Sequence, residues 1–274
     1  MEDVQIRACP GCGAAKVRTA FEEPPFRIVR CENCSLVFLG NPPPEEALYE
    51  EYYSSEEPRE DEYRVDSLNP RMRELYAINT QRIERIRRLK PGGSLLDVGC
   101  GRGYFLQTAT GAGYRAYGID VSEKAVAYAG RVFNARADVR SMENLIEANE
   151  QFDVVTLWHV LEHFVDPFDA LQQIRQLLKP GGMCVVEVPN VRSLKFLLSR
   201  TKWEGGNHPL YHRTFFSAKT LSAALERSGF TAVRRMRWSY DVPGMNRAYF
   251  CAKYGLNQVA MDAFLDFVAE NHGS

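Results

Sequence analysis

The run 97-DVGCGRGYF-105 sets Gly99, Gly101 and Gly103 behind one carboxylate and ahead of an aromatic pair. Glycines at this density let the backbone turn tightly and let a ligand approach bare main chain. The residues around them read as strand, loop, helix. The apolar stretch 94-SLLDVG-99 leaves the turn 90-KPGG-93, and 104-YFLQTATGAG-113 has helical spacing and ends at glycine. A second strand, 114-YRAYGID-120, ends in an acid, and 122-SEKAVAYAGRVF-133 is a second helix with Ser122 as its N-cap. This βαβα order predicts an α/β fold with a doubly wound, mostly parallel sheet and its ligand at the carboxyl ends of the strands.

The spacing narrows the ligand. A dinucleotide site has G-x-G-x-x-G and rests a pyrophosphate on the helix N-terminus. Here the spacing is G-x-G-x-G, and Asp97 stands two residues before the first glycine. A carboxylate there disfavours phosphate and suits an ammonium. Asp120 is placed to accept from two ribose hydroxyls. A ligand with a ribose, a cationic amine and no phosphate is S-adenosylmethionine.

A second constellation lies near the amino terminus. Cys9-Pro-Gly-Cys12 and Cys31-Glu-Asn-Cys34 are two C-x-x-C knuckles with 18 residues between them. That spacing suits a four-thiolate zinc site, and each knuckle turns two thiolates toward one point. A redox pair would not need the second knuckle. The alternating segment 26-FRIVRCENCSLVFL-39 predicts short strands beside it. Four thiolates leave no position for water, so a Zn²⁺ bound by Cys9, Cys12, Cys31 and Cys34 has a structural role. The predicted organisation is a zinc-ribbon-like module at 1–40, an acidic and aromatic linker at 41–70, and the α/β domain at 71–274. Residues 45–62 carry nine acids against Arg59 alone. The segment 71-RMRELYAINTQRIERIRRLK-90 is an amphipathic helix whose arginines are expected on its solvated face.

The formal net charge of −1 gives no case for general nucleic-acid or membrane binding. The acidic start lacks the apolar core of a signal peptide, and no apolar run approaches bilayer-spanning length, so a cytoplasmic protein is expected. Seven cysteines without an export signal point to metal or free thiols rather than disulfides.

The blocks 97-DVGCGRG-103, 118-GID-120, 152-FDVVTLWHVLEHFVDP-167 and 178-LKPGGMCVVEVPN-190 resemble class I S-adenosylmethionine-dependent methyltransferases over roughly residues 70 to 255. The knuckles with 36-LVFLGNPPPEEALYEEYY-53 resemble the amino-terminal segment of a bacterial branch that generally modifies small molecules. The resemblance implies a Rossmann-like methyltransferase sheet of seven strands. It implies that Asp97, Gly99 and Gly101 hold the methionine end, Asp120 the ribose, and that Val121 packs on the adenine. Cys100, Gly103 and Tyr104 belong to the same loop, the first through its backbone. The family often places an acid after the third strand, but Asp138 falls inside 136-RADVR-140. Ser141 and Met142 are the expected neighbours of the base.

Methyl transfer to a hydroxyl or an acidic carbon needs a base, and His is the usual one. His159 follows the fourth strand and is expected to meet cofactor or acceptor. Glu162 and His163 read equally as a loop brace. An acceptor-side insert is expected at about 190–216, opening with a helix at 191–200. In it His212 is favoured as base or acceptor ligand, with His208 and Tyr211 beside it; a structural histidine is the equal alternative. Trp203, Phe215 and Phe216 read as core more readily than as pocket. Strands are expected at 231–239 and 246–254, and the tail 256–271 has helical periodicity. Cys184 and Cys251 are given packing roles.

These readings converge on a methyltransferase acting on a small molecule, oxygen first, with carbon and nitrogen open. A ribosomal-RNA methyltransferase with a zinc module is the alternative enzyme. It needs a basic approach surface, which the charge-balanced first 40 residues and the acidic 45–62 do not supply. A non-catalytic protein that binds the cofactor, or acts through its zinc module, is the third reading.

Overall fold

The computed structural model describes residues 6–43, 70–193, 196, 211–236 and 264–271. The amino-terminal strands are β1 (Val17–Glu23), β2 (Phe26–Cys31) and β3 (Val37–Leu39). After helix α1 (Pro70–Leu89) come β4 (Ser94–Val98), α2 (Tyr104–Gly111), β5 (Arg115–Ile119) and α3 (Glu123–Phe133). There follow β6 (Ala137–Asp138), α4 (Met142–Glu147), β7 (Phe152–Trp158) and a 3₁₀ turn at Leu161–His163. Helix α5 (Pro167–Leu177) runs straight into β8 (Leu178–Pro189). The last described elements are β9 (Thr214–Phe215), α6 (Ala218–Arg227), β10 (Thr231–Met236) and β11 (Phe264–Asn271).

The larger sheet has seven strands in the order β10-β11-β8-β7-β4-β5-β6. β4, β5, β6, β7 and β8 pair in parallel, as the βαβα reading required. Their interiors are apolar on both faces, with Leu95, Leu96, Val154, Val155, Val185 and Val186 all fully buried. Strands covered by helices on both sides carry such unbroken runs. Ser122 caps α3 by accepting from the Ala125 N–H, as expected. Ser217 caps α6 in a reciprocal box with Thr220. The amphipathic helix expected at 71–90 is α1.

Two expectations are corrected. The tail is not helical over 264–271, because β11 lies antiparallel between β8 and β10. Phe267 and Ala269 join one core cluster and Val268 the opposite one, so both faces of this segment are covered. A short apolar run fits helix or strand by periodicity alone, and two waiting strand edges decide it. The second correction concerns Arg82 of α1, which is buried rather than solvated. Within the expected strand at 231–239, β10 covers Thr231–Met236. The expected strand at 246–254, most of the helix at 191–200 and of the linker at 41–70, and His208, Trp203 and Cys251 lie outside the described residues.

The smaller sheet runs β1-β2-β3-β9 and is antiparallel throughout. Its fourth strand, β9, comes from far later in the chain, not from the amino-terminal residues. One core cluster includes Cys9, Val29, Cys31, Leu36 and Phe38 together with Leu96, Leu157 and Phe216. The two sheets therefore share one interior.

Candidate active site

The glycine loop joins β4 to α2 at the carboxyl end of the parallel strands. The N–H groups of Gly99 and Cys100 both donate to the Ile119 carbonyl, at 2.8 and 3.1 Å. Gly99 has φ 68°, and a Cβ there would press to 2.5 Å on Val160. Gly101, at φ 52°, faces open space: a Cβ would meet nothing within 4 Å. The loop thus presents bare backbone where the sequence places a ligand. Gly103 is the left-handed N-cap of α2. Tyr104 packs among Tyr76, Tyr128 and Phe133, and the Cys100 side chain is buried.

Two carboxylates frame this loop. Asp97 is 2% exposed and its Oδ1 accepts from the Thr156 hydroxyl at 2.6 Å. Burial pushes its pKa up to about 7, against the Thr156 bond and the charge of Arg82. Asp120 ends β5; its Oδ2 accepts from the Gly101 N–H at 2.8 Å and its Oδ1 from the Ser122 N–H at 2.9 Å. Its pKa is raised by burial, with those backbone bonds opposing. Val121 beside it is 46% exposed, an apolar surface next to the loop. Asp138 lies in β6, as read from the sequence, and accepts from the Tyr117 hydroxyl at 2.8 Å. Ser141 caps α4, while Met142 is buried in the core.

The histidines gather at the end of β7. His159 has φ 59°, a left-handed conformation rare for a side-chain-bearing residue. Its N–H donates to the Glu187 carbonyl at 2.9 Å, and Nε2 lies 2.9 Å from Glu187 Oε1. Nδ1 is 3.6 Å from Glu162 Oε1. Burial alone would lower the His159 pKa, but hydrogen bonds and charge from Glu162 and Glu187 raise it to about 9. The two carboxylates thus favour the charged form of the ring. Arg82 ion-pairs with the same Glu187 oxygen, donates to Asn79 Oδ1 at 3.0 Å, and lies over the Trp158 ring at 4.2 Å.

Glu162 is 1% exposed. Burial would raise its pKa, yet His159, His163 and His212 together hold it below the usual carboxylate range. Ligand-capable atoms of Glu162, His163 and His212 lie within 4.8 Å of one another, close enough for one cation. His163 Nδ1 lies 2.8 Å from the Tyr211 carbonyl, which braces the loop as one sequence reading held. The His163 and His212 rings meet edge to face at 4.9 Å. His212 is 5% exposed, and Phe215 and Phe216 are core.

The structure thus brings His159, His163 and His212 together around Glu162, beside the glycine loop. Sequence reasoning missed Glu187 and Arg82. A lone acid in the apolar run 182-GMCVVEVPN-190 was the available signal for Glu187.

The four knuckle cysteines converge. Their Sγ atoms lie within 4.8 Å of one another, with Cys9–Cys34 and Cys12–Cys31 each at 3.5 Å. A tetrahedron with Zn–S bonds near 2.3 Å has S–S edges of about 3.8 Å, so the cluster fits Zn²⁺. Cys9 and Cys31 are buried.

A seven-stranded sheet of this order, with this loop and paired carboxylates, defines a class I S-adenosylmethionine-dependent methyltransferase. The chain belongs to the methyltransferase-domain family, whose family model matches residues 69–235. It is 30% identical over 202 residues to a ubiquinone biosynthesis O-methyltransferase of Xanthomonas axonopodis pv. citri, covering 68% of this chain and 83% of that protein. A protein of the same description from Bordetella avium is 31% identical over 171 residues, covering 57% of this chain and 70% of that one. The crystal structure of a SAM-dependent methyltransferase from Archaeoglobus fulgidus shares the fold, with TM-score 0.54 and 19% identity, covering 83% of this chain and all of that one. No described helix is long and apolar enough to cross a membrane.

Proposed function

We propose that this methyltransferase modifies a hydroxyl oxygen of a small molecule and that His212 takes the acceptor's proton. The observation that carries the reading is the buried Glu162 carboxylate ringed by three imidazoles at the carboxyl end of β7, with Val160 against the glycine loop. The names of the relatives support oxygen as the target.

When bound, S-adenosylmethionine supplies a methyl group on a cationic sulfur. The residues of this chain bind, align and manage the proton. Asp97 would face the ammonium, the backbone at Gly99, Cys100, Gly101 and Gly103 would cradle the methionine end, and Asp120 would accept from the ribose. Val121 would cover one face of the base with Ser141 at its edge, whereas Met142, expected there too, is buried in the core. An imidazolium has no lone pair to accept a proton, so His159 orients and His212 serves as base. Glu162 then stabilises the imidazolium that forms, as a carboxylate does beside a working histidine. Zn²⁺ on the four cysteines has a structural role.

The test uses purified protein, radiolabelled S-adenosylmethionine, and a panel of phenols, sugars and other hydroxylated metabolites, with ribosomal RNA as a separate arm. Label is expected in a small hydroxylated product. With that acceptor, His212→Ala should lower kcat by roughly 10²–10⁴-fold while S-adenosylhomocysteine affinity holds. Equal kcat in the two proteins would remove His212 from the base role, and label in RNA alone would overturn the acceptor class.

A further inference from the structure

The two sides of the active site hang from different sheets. The cofactor loop is fixed within the seven-stranded sheet, through Ile119 and Asp120. The segment bearing His212 is held between the amino-terminal module on one side and, on the other, the Glu162 carbonyl and the Val191 N–H, which donates to the Phe216 carbonyl at 2.9 Å. Phe215 pairs with Val37 and Thr214 with Phe38, and the Leu39 N–H donates to the Arg213 carbonyl at 2.9 Å. β3 leaves the second knuckle directly: the Cys31 N–H donates to the Leu36 carbonyl at 2.9 Å and the Ser35 N–H to the Cys31 carbonyl at 3.1 Å. From the far side, the Arg213 N–H donates to the Glu162 carbonyl at 2.8 Å. The path from thiolates to His212 is a short run of backbone hydrogen bonds.

The first knuckle is docked as tightly. The Arg227 guanidinium donates to the Gly11 carbonyl and sits 5.3 Å over the Phe168 ring. A Cβ on Gly11 would meet the Leu36 side chain at 3.0 Å and the Phe168 ring at 3.1 Å, so the knuckle lies close against α5.

We infer that the four-cysteine metal is a positioning element of the acceptor side: it fixes β3, hence β9 and His212, and leaves the cofactor side unaffected. The inference rests on the zinc reading above. A hairpin of this size has little core of its own, and loss of its metal releases the order that the metal imposed. The loosened ladder would let the 211–216 segment open locally while the parallel sheet stays closed.

The experiment measures zinc in the purified full chain first, then compares loaded and chelator-treated protein by hydrogen exchange and by calorimetry with S-adenosylhomocysteine. Peptides spanning 211–216 should exchange about tenfold faster or more without metal, as local opening becomes cheaper. Peptides spanning 94–104 should keep their protection, and S-adenosylhomocysteine affinity should change by less than about twofold. Added Zn²⁺ should restore the original pattern. Continued protection of 211–216 in metal-free protein overturns the inference and leaves the zinc reading standing. Parallel loss of ligand affinity overturns it too, since the whole fold would then depend on the metal. Protein that neither contains nor takes up zinc overturns the zinc reading itself, with the 211–216 ladder intact.

Discussion

Asp97 is a carboxylate that is only 2% exposed, and burial governs where it holds its proton. Burial raises its pKa from 3.8 to about 7, so the folded apo protein holds a proton there across a range in which the unfolded chain has lost it. Ligand-free stability therefore falls as pH rises through that window. An ammonium placed beside Asp97 reverses the preference, because it favours the charged form. S-adenosylhomocysteine affinity is thus expected to weaken below about pH 7, approaching tenfold per pH unit once Asp97 is protonated. Asp97→Asn should bind more weakly and show a flat profile between pH 6 and 8. Calorimetry at three pH values checks this, and a flat wild-type profile would separate Asp97 from the ammonium. The placement of Asp97, Asp120 and the glycines at the carboxyl ends of β4 and β5 was legible in the sequence because local backbone sets it. Glu187 and Arg82 were not, and Glu162 was noticed only as half of a loop-bracing pair, since their burial is set by elements far away in the chain. Arg82 looks in sequence like any other arginine of a basic helix face.

Among the elements, β11 shows how a local pattern can be outvoted. Its apolar residues satisfy a helical period, yet Phe267 and Val268 project into opposite core clusters. Eight register pairs join β11 to β8. Phe267→Ala is expected to cost about 3–5 kcal/mol, as for other buried aromatics. Val268→Asp should do more harm by placing an unpaired charge in the opposite layer. Urea denaturation of the two variants checks both sides of the strand. A helix lying on the body would bury only one of these side chains, so a silent result at either position would contradict the strand. The βαβα portion was legible because its helix caps, glycine turns and doubly buried strands all agree. The last strands lacked such punctuation.

At the scale of the whole molecule, one core cluster of the described residues joins the two sheets, where the sequence suggests a module, a linker and a domain. The reading of 1–40 as a unit came from cysteine spacing, which speaks only of neighbours along the chain. It could not show that β3 would find its partner at 214–215. Because Cys9, Leu36 and Phe38 share a core cluster with Leu157 and Phe216, the metal-loaded protein should unfold in one transition. Far-UV and near-UV circular dichroism should give coincident melts, whereas an earlier separate step would mark an independent amino-terminal unit. The two late pairings also bear on synthesis. A chain made from its amino terminus exposes the β3 edge until residues 214–215 have emerged, and the β8 edge until 264–271 have emerged. Exposed strand edges recruit other chains. Yield in the cell should therefore depend on slow emergence being guarded by chaperones, more than the stability of the finished protein would suggest.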